Sequence, residues 1–313
     1  MTKIINTFKD LEKECEISGK KIFEITQEYE AELAETNVDS IRSVVKKSLD
    51  AMKEAIQTGL KSKEMSISGM CGDDCDRLQK RFSDERALFG QTFEKITTYA
   101  LATIEENLRM GKIAACPTAG SCAIVPSVLV GVSEDLNTSE EDQINALITA
   151  GTVGRIISTK VALAGAVAGC QAECGVASAM SAAALTQIRG GSVNQILNAV
   201  ALAMKNLLGL TCDPVCGLVE IPCVKRNPFL AIHAVTASEL ALAGVKSKIP
   251  LDEVIDALEQ TGQLMSCSRL PNKIPQTCAN NPPSSRLVGC YLKSKHLFVH
   301  GRGVVLPAVI RHY

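Results

Sequence analysis

The stretch from Lys112 to about Gly244 limits what this chain can fold into more than any other feature. It is apolar, rich in glycine and alanine and sparse in charge, and thirteen of the 43 residues from Val161 to Ala203 are alanine. No strand-like alternation of any length runs through it. Small residues at this density let helix backbones approach closely, so the stretch predicts interior helices. With no tryptophan and 4% aromatic residues, the core must be filled by aliphatic and small side chains. Ser139-x-x-Asp142 predicts a capping box that opens one helix, Gly190-Gly191-Ser192 breaks the next pair, and Gly209 is expected to end a helix over Val193–Leu208. A further helix is expected over Leu251–Gln260, after Pro250 and ending near Gly262.

The first 111 residues read as polar amphipathic helices. Asp39-Ser40 is expected to cap one whose apolar residues Ile41, Val44, Val45, Leu49, Met52, Ile56 and Leu60 fall at helical spacing. A second pattern runs through Leu88, Phe93, Ile96, Ala100, Ile104 and Leu108 and stops at Gly111, while Ser66–Asp76, with glycines, aspartates and two cysteines, reads as a loop. Cys267–Tyr313 has no helical period and contains Asn280-Asn281 and Pro282-Pro283, so it reads as irregular. The expected fold is all-α: buried Ala/Gly-rich helices over 112–265, wrapped by amphipathic helices over 1–111, with an irregular tail over 266–313.

Lysine and arginine (33) nearly balance aspartate and glutamate (34), so no net attraction to nucleic acid or to an anionic membrane is implied. The N-terminus alternates charged and apolar residues and lacks the apolar run of a secretory signal, which predicts a cytoplasmic protein. The uncharged run Ile113–Ser133 is about as long as a membrane span. It contains Pro117, Pro126 and the polar turn Thr118-Ala119-Gly120-Ser121, and reads instead as a buried loop and helix.

Thirteen cysteines in a chain expected to stay in a reducing compartment favour metal ligation or buried thiols over disulfides. Three segments stand out, around Cys170, Cys212 and Cys223, the last two in the contexts Thr211-Cys212-Asp213-Pro214 and Pro222-Cys223-Val224-Lys225-Arg226-Asn227. Their separations are not those of a compact ferredoxin-type run, and spacing alone leaves buried thiols as an alternative. Pro117-Thr118-Ala119-Gly120-Ser121 offers two hydroxyls and a glycine ahead of a helical run, an arrangement that can present backbone N–H groups to a carboxylate or merely cap a helix. Arg226 can offset thiolate charge, hold a carboxylate or form a surface ion pair, and Glu173 can orient the site or be a paired carboxylate. His233, in an Ala-rich helix, reads as a satisfied core histidine.

The blocks GKIAACPTAGSCAIVPS (Gly111 to Ser127), GCQAECGVASAMSAAAL (Gly169 to Leu185) and NLLGLTCDPVCGLVEIPCVKRN (Asn206 to Asn227) resemble the signature blocks of the α chain of iron–sulfur-dependent L-serine dehydratases, a likeness that covers about Lys112 to Leu264. The resemblance implies a [4Fe–4S] cluster held by Cys170, Cys212 and Cys223, with one iron left to act as a Lewis acid on L-serine, and no pyridoxal phosphate. It implies a substrate-carboxylate contact for Thr118 and Ser121, and gives Arg226 and Asn227 a place beside the third cysteine. A Ser-Ser-Ser-His-Thr block that the family carries in its β portion is absent from the 313 residues, so a separate β subunit is expected to complete the site. Cys174 and Cys216 stand where the family has a small or apolar residue; either is a core thiol or a resting fourth ligand. The family's (R/K)ET-x-x-GG(L/I)A block, due shortly after Met265, is not matched, which is read as a frameshifted or chimeric end or as a divergent tail. A non-catalytic redox carrier and a zinc-stabilised helical subunit using Cys170/Cys174 and Cys212/Cys216 are the rival classes.

Overall fold

The computed structural model describes residues 5–265 and 304–305, with the backbone alone for Cys216, Val304 and Val305. The regular structure of the described residues is almost wholly helical: α1 (Phe8–Ser18), α2 (Ile22–Leu33), α3 (Val38–Lys61), α4 (Asp74–Asp84), α5 (Gly90–Leu108), α6 (Ile124–Leu136), α7 (Glu140–Ser158), the short α8 (Gly165–Cys170), a π turn (Gln171–Gly175), α9 (Val176–Ile188), α10 (Val193–Lys205), a 3₁₀ turn (Val215–Gly217), α11 (Cys223–Leu242) and α12 (Leu251–Leu264). A two-residue parallel bridge joins β1 (Ala114–Ala115) to β2 (Val304–Val305). The expectation for the rest of 266–313, including Cys278 and the reading of a frameshifted end, lies outside the described residues.

The alanine-rich prediction finds its counterpart in α9, in which every residue from Val176 to Thr186 is buried. It is enclosed by α6, α7, α10 and α11, and Ala177, Ala179, Ala182 and Ala183 are fully covered. A helix that is apolar all round belongs at the centre of a bundle, and its small side chains allow the neighbours to come close. Helices α1–α3 bury one face each, while α5 is covered nearly all round from Ile96 to Glu106 by α3, α4, α6 and α11. Where α3 crosses α5, Gly59 is indispensable: a Cβ there would sit 2.1 Å from the Ala102 carbonyl oxygen.

Several boundaries differ from the sequence expectations for identifiable reasons. The cap of α3 is Asn37, whose Oδ1 accepts from the Ser40 N–H at 2.8 Å, so the helix begins ahead of Asp39-Ser40. Leu88 is not on the α5 stripe; it precedes the helix and is 92% exposed. The Ser66–Asp76 loop gives way at Asp74 to α4, a charged helix that buries only Cys75 and so shows no apolar stripe. Helix α10 stops at Lys205, short of Leu208, with Gly209 at φ +93 in the turn beyond, and α12 runs on past Gly262 to Leu264. The Ser139 cap holds, its Oγ accepting from the Asp142 N–H at 3.1 Å. Ile113–Ser133 is a buried turn and helix as expected, and among the described residues no helix is long and apolar enough to cross a membrane.

Candidate metal centre

Cys170 closes α8 after a sharp kink. Ala168 and Gly169 leave helical geometry, and at φ +79 Gly169 occupies a region that admits few residues with a side chain; a Cβ there would lie 2.7 Å from Met265 Sδ and 2.8 Å from the Leu210 carbonyl. The kink turns the chain into the π turn, where Gln171 ties three segments together. Its backbone N–H donates to Leu210 O at 2.9 Å, its Oε1 accepts from the Gly209 N–H at 2.9 Å, and its Nε2 donates to Leu258 O at 3.1 Å. The turn that carries Cys212 is thereby held against Cys170.

The three cysteines of the sequence blocks converge. The Cys170 and Cys212 thiols are within hydrogen-bonding reach of each other, and Cys223, the first residue of α11, feels the charge of both Cys212 and Glu173. Arg226, one turn into α11, donates from Nη1 to Cys170 Sγ at 3.0 Å and to Thr211 O at 3.3 Å, and pairs with Asp213 at 2.6 Å. Of the roles open to Arg226, the geometry shows two at once, contact with the Cys170 thiol and an ion pair with the exposed Asp213.

Hydrogen bonding to Cys174 and burial push Cys170 well above an ordinary thiol, hydrogen bonding to Cys170 and burial do the same for Cys212, and burial with the charges of Glu173 and Cys212 pushes Cys223 up to about 12. Arg226 acts in the opposite direction on Cys170 and Cys223. The buried Cys170 and Cys223 and the half-buried Cys212, with one guanidinium to balance them, are a donor set suited to a thiophilic metal, whose binding displaces the protons.

The Thr118–Ser121 turn joins this centre through Glu173. Thr118 Oγ1 donates to Glu173 Oε1 at 2.5 Å and lies 3.1 Å from Ser121 Oγ, so the chain of hydroxyls runs from the buried Ser121 through Thr118 to the carboxyl. The carboxyl fits between two glycines: a Cβ on Gly120 would approach Oε1 to 2.6 Å, and one on Gly165 would approach Oε2 to 2.3 Å. Burial raises the Glu173 pKa, against the opposing effects of Thr118 and Arg226. No basic residue is ion-paired with it among the described residues, so it is not the paired carboxylate the sequence left open. Its signal was visible: it is the lone charged residue between Lys160 and Arg189.

Asn227 is fully buried and acts as a clasp. Its Nδ2 donates to Gly120 O and Cys223 O, both at 3.0 Å, and its Oδ1 accepts from the Ala123 N–H at 3.2 Å, which fixes the hydroxyl turn to the start of α11. Cys116 and Cys122 are sealed thiols raised by burial, and Cys71 and Cys75 pack in a separate apolar cluster with α5. Cys174 faces Cys170, while the side chain of Cys216 lies outside the described residues. His233 is satisfied as expected: Ser178 Oγ donates to Leu230 O at 2.9 Å and lies 2.8 Å from His233 Nδ1. Lys112 and Lys160 pair with Glu54 and Asp256.

A family model described as serine dehydratase alpha chain matches residues 17–269. The probable L-serine dehydratase, alpha chain, of Bacillus subtilis (strain 168) is 41% identical over 261 residues, which cover 82% of this chain and 87% of that one. The L-serine dehydratase, alpha chain, of Peptoniphilus asaccharolyticus is 37% identical over 262 residues, 84% of this chain and 90% of its own. The L-serine dehydratase of Helicobacter pylori (strain ATCC 700392 / 26695) is 38% identical over 268 residues, but these are 80% of this chain and only 58% of that protein.

Proposed function

Because this chain belongs to the serine dehydratase alpha chain family, we propose that it catalyses the iron–sulfur-dependent deamination of L-serine to pyruvate and ammonia. The observation that carries this reading is the meeting of Cys170, Cys212 and Cys223 beside Arg226, with the Ser121–Thr118–Glu173 chain adjoining them. Those three cysteines are the residues that would hold a [4Fe–4S] cluster.

Serine has a poor leaving group and a weakly acidic α-proton, so elimination needs help at both ends. When bound, a cluster with three protein thiolates supplies an iron Lewis acid for the hydroxyl. The remaining work falls to the chain. Arg226 offsets thiolate charge and fixes Cys170. Thr118, Ser121 and the N–H groups of their turn hold the substrate carboxylate. Glu173, whose pKa burial raises against the opposing effects of Thr118 and Arg226, is in this reading the group that donates a proton to the departing hydroxyl. Asn227 positions the turn without touching substrate. Loss of water leaves aminoacrylate, which tautomerises and hydrolyses to pyruvate and ammonium.

The base for the α-proton comes, in this reading, from a separate β subunit in the cytoplasm. Lys112, Lys160 and His233 are each engaged elsewhere, and the Helicobacter relative extends well beyond the matched region. Val167 on α8 and Phe229 on α11, on the two helices that carry Cys170 and Cys223, are 55% and 76% exposed and offer an apolar surface to such a partner. The test is serine turnover by the cluster-loaded chain with and without its co-expressed partner. Turnover is expected only with the partner; equal rates without it would return the search for the base to this chain, and no turnover in either case would remove the proposed activity.

A further inference from the structure

Cys174 is not among the three assigned ligands, yet its sulfur, that of Cys170 and a carboxylate oxygen of Glu173 all lie within 4.8 Å of one another. Across the π turn the Cys174 and Cys170 thiols are within hydrogen-bonding reach. Cys174 is 2% exposed, so solvent does not compete for it, and its other side packs in the apolar core. The kink at Gly169 and the three hydrogen bonds of Gln171 fix the backbone that presents both sulfurs.

We propose that Cys174 is a fourth thiolate for the cluster, held on the iron that Cys170, Cys212 and Cys223 leave open until substrate displaces it; this rests on the cluster reading above. Two further ligand groups adjoin the Cys170 sulfur, Cys174 and Glu173. The Glu173 carboxyl is engaged by Thr118 and confined between Gly120 and Gly165, whereas among the described residues the hydrogen-bonding pattern gives the Cys174 thiol Cys170 as its partner. Iron in a sulfide cluster takes thiolate in preference to carboxylate, and a [4Fe–4S] cluster with four cysteines is closed. The arrangement reconciles a reactive iron with protection at rest, since the capping group is part of the same turn as a permanent ligand.

The test uses the full chain, purified anaerobically with its co-expressed partner, after iron and acid-labile sulfide have been measured. Ferricyanide removes one electron from a [4Fe–4S] cluster; an uncapped iron then leaves as a ferrous ion, and the remaining [3Fe–4S] cluster gives an electron paramagnetic resonance signal. That signal is expected to grow about tenfold more slowly in the wild type than in Cys174→Ser and Cys174→Val. The serine variant nearly keeps the side-chain volume, the valine variant replaces the thiol by a group that cannot ligate, helical circular dichroism reports whether the core stays packed in each, and Glu173→Gln should give the wild-type rate of signal growth. Loss of cluster iron in both Cys174 variants, with helical circular dichroism retained, supports the proposal as well. Equal rates in the wild type and both Cys174 variants, at normal cluster content, overturn it and leave the cluster reading intact. Fast conversion in Glu173→Gln alone assigns the position to the carboxylate and also overturns it. A wild type without iron and sulfide overturns both readings.

Discussion

The guanidinium of Arg226 lies 3.0 Å from the sulfur of Cys170 and 2.6 Å from the carboxylate of Asp213, so one cation on α11 links the kinked end of α8 to the turn that carries Cys212. Its charge favours the thiolate form of Cys170 and Cys223. Arg226→Gln should therefore require a higher pH for the cysteines to bind metal, because protons then compete more strongly for the thiols. Iron content after anaerobic reconstitution is expected to fall several-fold below about pH 7 and to recover towards pH 9 in the variant. An unchanged pH profile would show that Arg226 does not act on the thiols.

Asn227 makes no contact with the thiols but decides where the hydroxyl turn sits. Asn227→Ala leaves the Ala123 N–H and the Gly120 carbonyl without their partners in a buried place. The expected cost is about 2–4 kcal/mol of stability. KM for serine should rise as well, since the turn that holds the carboxylate loses its clasp. Chemical denaturation and steady-state kinetics check the two effects; a variant as stable as the parent contradicts the structural role.

Gly59 offers a prediction away from the site. Gly59→Ala drives a methyl group into the Ala102 backbone and should cost roughly 3 kcal/mol through overpacking of the α3–α5 crossing. The specific activity of the folded fraction should not change. Urea denaturation with parallel activity measurement distinguishes this from a defect in the centre.

His233 is lowered in pKa by burial. A basic group whose folded pKa is depressed is neutral in the native state while the unfolded chain still binds a proton, so its contribution is fully present above the unfolded value of about 6.5 and is lost as pH falls through the folded value. His233→Gln should therefore flatten the loss of stability below about pH 6.5. Thermal unfolding midpoints across that range test it; a slope equal to the parent's contradicts the assignment.

The fold was legible where a single physical constraint dominated. The run of alanines could be accommodated only by helices in close contact, and α9 lies at the centre of the bundle as that demands. The cysteines were legible through their sequence blocks, but their convergence was not, because it depends on Gln171 reaching Gly209, Leu210 and Leu258, far away in the chain. Helix α4 escaped notice because it buries one cysteine and otherwise faces solvent. The clasp of Asn227 has no periodic signature at all. Glu173 was legible as a residue of the site, since an isolated charge in an apolar helical stretch must have a reason to be there, but its link to Thr118 was not.

The central claim is that Cys170, Cys212 and Cys223 together hold the metal on which serine deamination depends. Iron and acid-labile sulfide analysis of anaerobically purified Cys170→Ser, Cys212→Ser and Cys223→Ser, beside Cys116→Ser and Cys122→Ser, tests it most directly. The first three are expected to lose cluster iron and nearly all serine turnover, while the last two, sealed thiols that flank the hydroxyl turn, retain both. Normal cluster content in any of the first three would contradict the assignment of that cysteine, and normal content in all three would contradict the account.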